Sequence, residues 1–210
     1  MIYEFRTYNL NVGKIPEYHQ IFSKKIIRRQ EYSKISGHWY TETGSLNQMI
    51  AIWPYESLEK RKEIREIVET VDNGSVWPPQ SGNIIINMTS EIYLPTPFMR
   101  PLEPKTMGPL YEIRYYSYPQ ELIPDVIDAW GKAMPKREEL SPLVGCWYSD
   151  FGGTRNFVSL WSYKNFEERL EVREKARESG WPPKDAPIPR LQENKIMWPA
   201  KFSPLHLLMK

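Results

Sequence analysis

Three sets of residues in this sequence have the types and spacing to do chemistry. His38, Tyr40 and Glu42 alternate along one short extended segment. Histidine is the side chain suited to proton transfer near neutral pH, and a tyrosine two residues on is a natural hydrogen-bond partner. Glu4, Arg6 and Tyr8 form a second set, and Glu112, Arg114 and Tyr116 a third with the same spacing. A Glu-x-Arg step on a strand puts both side chains on one face, about 6.6 Å apart at ~3.3 Å per residue. Two roles fit it. One is a buried ion pair, because Glu and Arg are rarely buried unless paired. The other is an arginine that holds a substrate carboxylate or enolate, steadied by the glutamate.

These residues sit in a chain that repeats itself. Tyr3-Glu4-Phe5-Arg6-Thr7-Tyr8 returns as Tyr111-Glu112-Ile113-Arg114-Tyr115-Tyr116, and Gly37 to Trp53 returns as Gly145 to Trp161, both offset by 108 positions. Tyr55, Arg61 and Arg65 match Tyr163, Arg169 and Arg173 at the same offset, and Trp77-Pro78-Pro79 returns as Trp181-Pro182-Pro183, four positions short of it. One register held over so many elements is the mark of a duplication. His38 is then matched by Cys146, with Tyr148 and Asp150 following, so the internal symmetry is broken where a reaction would want it broken. Cys146 is either a nucleophile or a small core residue. Trp39, Trp53, Trp147 and Trp161 either line an apolar pocket or fill the core.

Each copy reads β-α-β-β-α-β. In the first, a strand over 2–10 alternates Tyr3 and Phe5 with Glu4, Arg6 and Tyr8. Pro16 suits the first turn of a helix running towards Tyr32. Strands over 38–42 and 48–53 form a hairpin about Gly44-Ser45. Ser57 caps a second helix to about Val71, and a last strand covers 83–94. In the second copy the strands cover 110–118, 146–150, 156–161 and 195–202, with helices over 124–134 and 166–177. Pro135 is expected to end or bend the first of these. Lys24, Lys25, Arg28 and Arg29 read as a solvated basic helix face.

This order implies two tandem ferredoxin-like units of class α+β, each a four-stranded antiparallel sheet with two helices on one face. The expected domains are 1–95 and 110–210, joined by a proline-rich linker over 96–109. The two open sheet faces would pair into one barrel-type core. With Tyr3 and Phe5 assigned to the helix side, Glu4, Arg6 and Tyr8 point into the inter-sheet cavity, joined by Glu112, Arg114 and Tyr116. The hairpin register stays open: a one-residue slip would send Trp39 inward instead of His38.

The strand YEFRTY, followed after a helix by GHWYTETGSLNQ…IWPYESL and an arginine-bearing helix, resembles the NIPSNAP family. The resemblance spans nearly the whole chain as two copies. It implies the dimeric α+β-barrel fold, whose wider relatives include cofactor-free oxygenases, isomerases, dehydratases and haem-handling enzymes. Ala51 and Ser159 stand where the family often has a polar or imidazole group, so no chemistry is expected from that position.

Composition narrows the choice. The chain of 210 residues carries a formal net charge of +2, too little to argue for nucleic acid. No apolar run approaches the ~20 residues of a membrane span. The single cysteine rules out an internal disulfide and points to a reducing, cytoplasmic setting. Three histidines, far apart in sequence, make no metal site, and no dinucleotide or phosphate-loop motif is present. Eight tryptophans and thirteen tyrosines favour an apolar, aromatic-lined cavity. The expectation is a protein enclosing a small, largely apolar organic molecule, aromatic or polycyclic, and promoting cofactor-independent acid–base chemistry: isomerisation, dehydration, cyclisation or oxygenation. His38, Tyr40, Tyr148, Arg6 and Arg114 would act on it. The rival is a non-catalytic small-molecule binder or protein scaffold; a homo-oligomer fits either.

Overall fold

The structure is a computed structural model that describes residues 1–75, 77–79, 81–104, 107–151 and 153–206. The elements run β1 (Ile2–Leu10), α1 (Ile15–Arg29), β2 (Gly37–Thr43), β3 (Gln48–Tyr55), α2 (Leu58–Thr70), β4 (Ile85–Pro95), β5 (Leu110–Ser117), α3 (Ile123–Glu138), β6 (Leu143–Tyr148), β7 (Phe157–Tyr163), α4 (Phe166–Glu178) and β8 (Leu191–Pro199). This is the βαββαβ order twice, in class α+β. Most of one compact unit is Met1–Ile92 with Trp198–His206; most of the other is Tyr93–Leu102 with Thr106–Met197. The proline-rich 96–109 stretch includes Lys105 and Thr106, which lie outside the described residues.

In the first unit the strand order is β4-β1-β3-β2, the interleaved order of a ferredoxin-like sheet. β1 and β3 run antiparallel from Ile2↔Tyr55 to Asn9↔Gln48, and β2 pairs with β3 through His38↔Ala51 and Tyr40↔Met49. The second unit repeats this as β8-β5-β7-β6. Local signals explain the helix starts. Pro16 sits in the first turn of α1, and Pro124 does the same in α3. Ser57 accepts the Lys60 amide at 3.2 Å, and Asn165 accepts the Glu168 amide at 2.8 Å.

Two glycines are demanded by packing. A Cβ on Gly37 would lie 2.0 Å from the Trp39 indole, and one on Gly145 would lie 2.1 Å from Trp147. Each indole folds across the glycine two residues earlier on the same strand face. This is the physical content of the repeated Gly-x-Trp.

Three expectations are corrected. First, the sheet faces are inverted. Tyr8 packs against α1, with ring centres 5.7 Å from Tyr18 and 5.9 Å from Phe22, and Arg61 of α2 donates to Glu4 at 2.5 Å. Glu4, Arg6 and Tyr8 therefore face the helices, and so do Glu112, Arg114 and Tyr116. The reason is charge. A fully buried carboxylate needs donors, and the helix-borne arginines supply them. Second, α3 runs through Pro135 to Glu138. Proline there forfeits the hydrogen bond to the Gly131 carbonyl, but continuation carries Arg137 to its anchor: its guanidinium stacks 4.1 Å over Trp161 and donates to Ser141 Oγ at 2.9 Å. Third, β8 is shifted towards the N-terminus of its expected span, ending at Pro199 because its partner is β5, in register from Ser117↔Leu191 to Tyr111↔Met197.

Candidate functional site: a cationic aromatic cavity in the second repeat

The cross-strand registers place the expected site residues in two equivalent rows, each on a helix-facing sheet surface. In the first unit Arg6, Ala51 and His38 lie side by side across three strands. In the second the row is Arg114, Ser159 and Cys146. What lies above each row differs.

His38 is sealed beneath α1. It is 1% exposed, its Nε2 lies 3.3 Å from the Tyr18 hydroxyl, and its Nδ1 is buried without a hydrogen-bond partner. Phe202 packs on it at 5.0 Å between ring centres. Burial, with His19 nearby, pushes its pKa down to about 3, so the ring is neutral across the physiological range. Tyr40 is half-buried against His19 at 5.4 Å, and Tyr148 lines a shallow apolar groove with Phe98 and Ile127. The thiol of Cys146 is fully buried and pushed up by that burial, which leaves it inert. Trp39 and Trp147 are fully buried on the sheet face opposite to His38 and Cys146. Trp53 lies beneath the Arg29 guanidinium at 4.5 Å, and Arg29 is 1% exposed, so it does not belong to the solvated basic face expected of α1.

Of the expected catalytic set only Arg114 lines the cationic, aromatic cavity of the second unit, joined from the expected binding set by Tyr116 and Trp161. The cavity measures ≈ 470 Å³ and lies between the helix face of β5 and β7, the helices α3 and α4, and the Trp181–Pro189 segment. That volume suits a compact organic ligand. Its aromatic wall is built edge to face: Trp130 and Trp181 lie 4.7 Å apart, and Trp161 and Trp181 6.1 Å. Five basic side chains line it, Arg114, Arg137, Arg173, Arg177 and Lys184, and no carboxylate does among the described residues.

The glutamate beside the cavity is already engaged. Arg169 of α4 grips both oxygens of Glu112, at 2.6 and 3.1 Å, Asn194 donates at 2.9 Å, and Arg173 reaches it at 3.4 Å. Burial opposes the charge on Glu112, but Arg169, Arg114 and Arg173 outweigh it and hold the carboxyl below its usual range. Arg114 is left facing the cavity, its guanidinium 5.6 Å from the Tyr116 ring and its Nε buried without an acceptor. Arg137 is 4% exposed, and its Nε too lacks an acceptor. Burial pushes Arg137 below the ordinary arginine value; the Tyr163 hydroxyl works against this and the Arg114 charge adds to it. Arg173 is lowered by burial and then by Arg114. Cations crowded in this way favour an anion among them.

Sequence reasoning missed Tyr118, Trp130, Arg137 and Tyr163 as wall residues. The signal was present in part. Arg29, Ser33 and Tyr55 recur at the 108 offset as Arg137, Ser141 and Tyr163, a buried arginine with its two oxygen partners. The repeated Trp-Pro-Pro supplies Trp181, Pro182 and Pro183 to this wall. Among the described residues no cluster of three or more His, Cys, Asp or Glu is set to hold a metal, and no helix is long and apolar enough to cross a membrane.

The NIPSNAP family model matches residues 3–100 and again 111–204. The chain belongs to the NIPSNAP family. Among its relatives, a NipSnap homolog of Dictyostelium discoideum is 29% identical over 180 residues, covering 83% of this NIPSNAP chain and 75% of the relative. Human NipSnap homolog 3A is 26% identical over 223 residues, covering 98% and 86%. Among solved structures, a putative monooxygenase from Lactobacillus acidophilus superposes over 95% of this chain and 93% of its own, with a TM-score of 0.59 and 12% identity. That likeness shows a shared fold, the dimeric α+β-barrel type, and nothing of a shared reaction.

Proposed function

We propose that this NIPSNAP chain binds a small amphipathic anion in the second repeat, with the aromatic or polycyclic body against Trp130, Trp161 and Trp181 and the anionic head on Arg114 and Arg137. The observation that carries this reading is Arg114: a guanidinium at the wall of an aromatic cavity, its Nε buried without an acceptor while the neighbouring Glu112 is held by other donors. A carboxylate placed there gains charge-assisted hydrogen bonds, each about 1.5–3 kcal/mol. The reading replaces the largely apolar ligand expected from composition with one that has an apolar body and a charged end, and it keeps the expected cytoplasmic setting.

Titration with 2-naphthoate by isothermal calorimetry tests it, alongside native mass spectrometry for a co-purifying ligand. Saturable 1:1 binding, weakened at least tenfold in Arg114→Gln, is the expected result. Binding that Arg114→Gln leaves unchanged, or no saturation, overturns it. A second reading, cofactor-independent acid–base chemistry, draws on buried Tyr116, whose ring lies 5.6 Å from the Arg114 guanidinium, as proton donor to an enolate held by that guanidinium. His38, neutral and sealed, has no part in it. Exchange of a bound ligand's α-protons for deuterium, followed by NMR, separates catalysis from binding alone.

A further inference from the structure

The cavity carries more positive charge than a singly charged ligand neutralises. Its inner wall holds Arg114 and Arg137, with Arg173 beside them, and its exposed rim holds Arg177 and Lys184. Glu112 offsets Arg169 and shares Arg173. Arg114, Arg177 and Lys184 make no ion pair within 4.0 Å among the described residues. In the first repeat Glu69 stands at the position of Arg177 and pairs with Arg65 at 3.1 Å, while Arg6 pairs with Glu4 at 3.3 Å. The first repeat thus pairs Arg6 and Arg65 with its own carboxylates, whereas in the second Arg114 stays unpaired and Arg177 and Lys184 add two further cations to the cavity.

Resting on the anion-binding reading above, we infer that the ligand's head is a dianion, of which an aromatic phosphate monoester is the chemical type, and that Arg177 and Lys184 read the second charge. A phosphate monoester offers three acceptor oxygens to converging guanidinium groups, a better match than the two of a carboxylate. Its aromatic ester group fills the tryptophan wall. The inner arginines hold any anion; the rim pair, exposed and unpaired, adds more affinity when the head carries a second negative charge.

Two probes with one ring system separate the charges: 1-naphthyl phosphate, and naphthalene-1-sulfonate, whose tetrahedral oxyanion head stays singly charged. Calorimetric titration of the full chain at pH 7.5 is expected to give at least tenfold tighter binding of the phosphate. Its second pKa lies near 6, so that advantage shrinks as pH falls below about 6, while sulfonate binding stays flat. The double variant Arg177→Gln with Lys184→Gln should bring the phosphate within about twofold of the sulfonate, because it takes more affinity from the dianion than from the monoanion. Both positions are exposed, so folding is checked simply by circular dichroism, and Arg177→Gln alone gives a partial loss in the same direction. Equal binding of the two probes, with an Arg114-dependent signal, overturns the dianion and leaves the anion site standing. A double variant with an unchanged phosphate advantage overturns the roles of Arg177 and Lys184. Binding of neither probe nor of 2-naphthoate overturns both readings.

Discussion

The two repeats carry the same buried frame and put it to different use. Arg29 and Arg137 stack on Trp53 and Trp161 at 4.5 and 4.1 Å, each also held by a serine four residues on. Glu4 and Glu112 each accept from an arginine of the following helix. Above this frame the first repeat stacks Tyr18 on Phe22 at 3.7 Å and bonds it to His38. The second has Val126 and Cys146 at those places, a tryptophan in place of Phe22, and the cationic cavity. One copy pairs its strand arginine, Arg6, with its own Glu4; the other leaves Arg114, beside the cavity, without an ion pair among the described residues. A duplicated chain can do this because the stability of one half frees the other to carry unpaired groups, which cost about 1–3 kcal/mol each when buried.

The largest expected effect comes from removing the anion that the second repeat does have. Glu112→Ala leaves Arg169 and Arg173 without their carboxylate and should cost about 3–5 kcal/mol, seen as a lower midpoint in denaturant. Glu4→Ala removes a carboxylate that Arg6 and Arg61 hold through one oxygen, without the two-oxygen grip of Arg169 on Glu112, and should cost about 1 kcal/mol less. Equal losses would mean that the two frames are equally strained and would blunt the comparison.

A pH effect of a few kcal/mol belongs to the first repeat. His38 has a folded pKa depressed to about 3 against the ordinary 6.5. Its buried neutral form costs nothing extra above the unfolded value. As pH falls from 6.5 towards 3 the unfolded chain takes up the proton and the folded chain does not, so stability drops by about 1.4 kcal/mol per unit of pKa difference. Urea unfolding from pH 7.5 to 4 should show this slope in the wild type and a flatter one in His38→Asn. An unchanged slope would place the acid sensitivity elsewhere.

A smaller effect tests the feature the repeats share most closely. Gly37→Ala and Gly145→Ala each push a Cβ into an indole and should cost about 1–3 kcal/mol, by the same amount in both copies. A marked difference in thermal midpoint would show that the two Gly-x-Trp steps are not equivalent.

The sequence carries the duplication and the element types clearly, because identities at one offset, helix-opening prolines and a serine cap are local or self-referential signals. The sheet faces were not legible in it. Glu-x-Arg-x-Tyr alternates equally well in either orientation, and what decides is the reach of Arg61 and Arg169 back from the following helices, a contact over 57 positions. Histidine 38 looked like a proton carrier by type, but its chemistry is set by Tyr18, Phe22 and Phe202, none adjacent in sequence. Proline 135 reads as a helix end only until Arg137 is seen anchored beyond it.

The central claim is that the open arginine of the second repeat, and not its paired counterpart in the first, holds the ligand. Parallel calorimetric titrations of 2-naphthoate into wild type, Arg6→Gln and Arg114→Gln test it most directly. The account predicts affinity within about twofold of wild type for Arg6→Gln and a loss of roughly 10- to 100-fold for Arg114→Gln, equivalent to about 1.4–2.8 kcal/mol. Equal losses in the two variants, or a loss confined to Arg6→Gln, would contradict it.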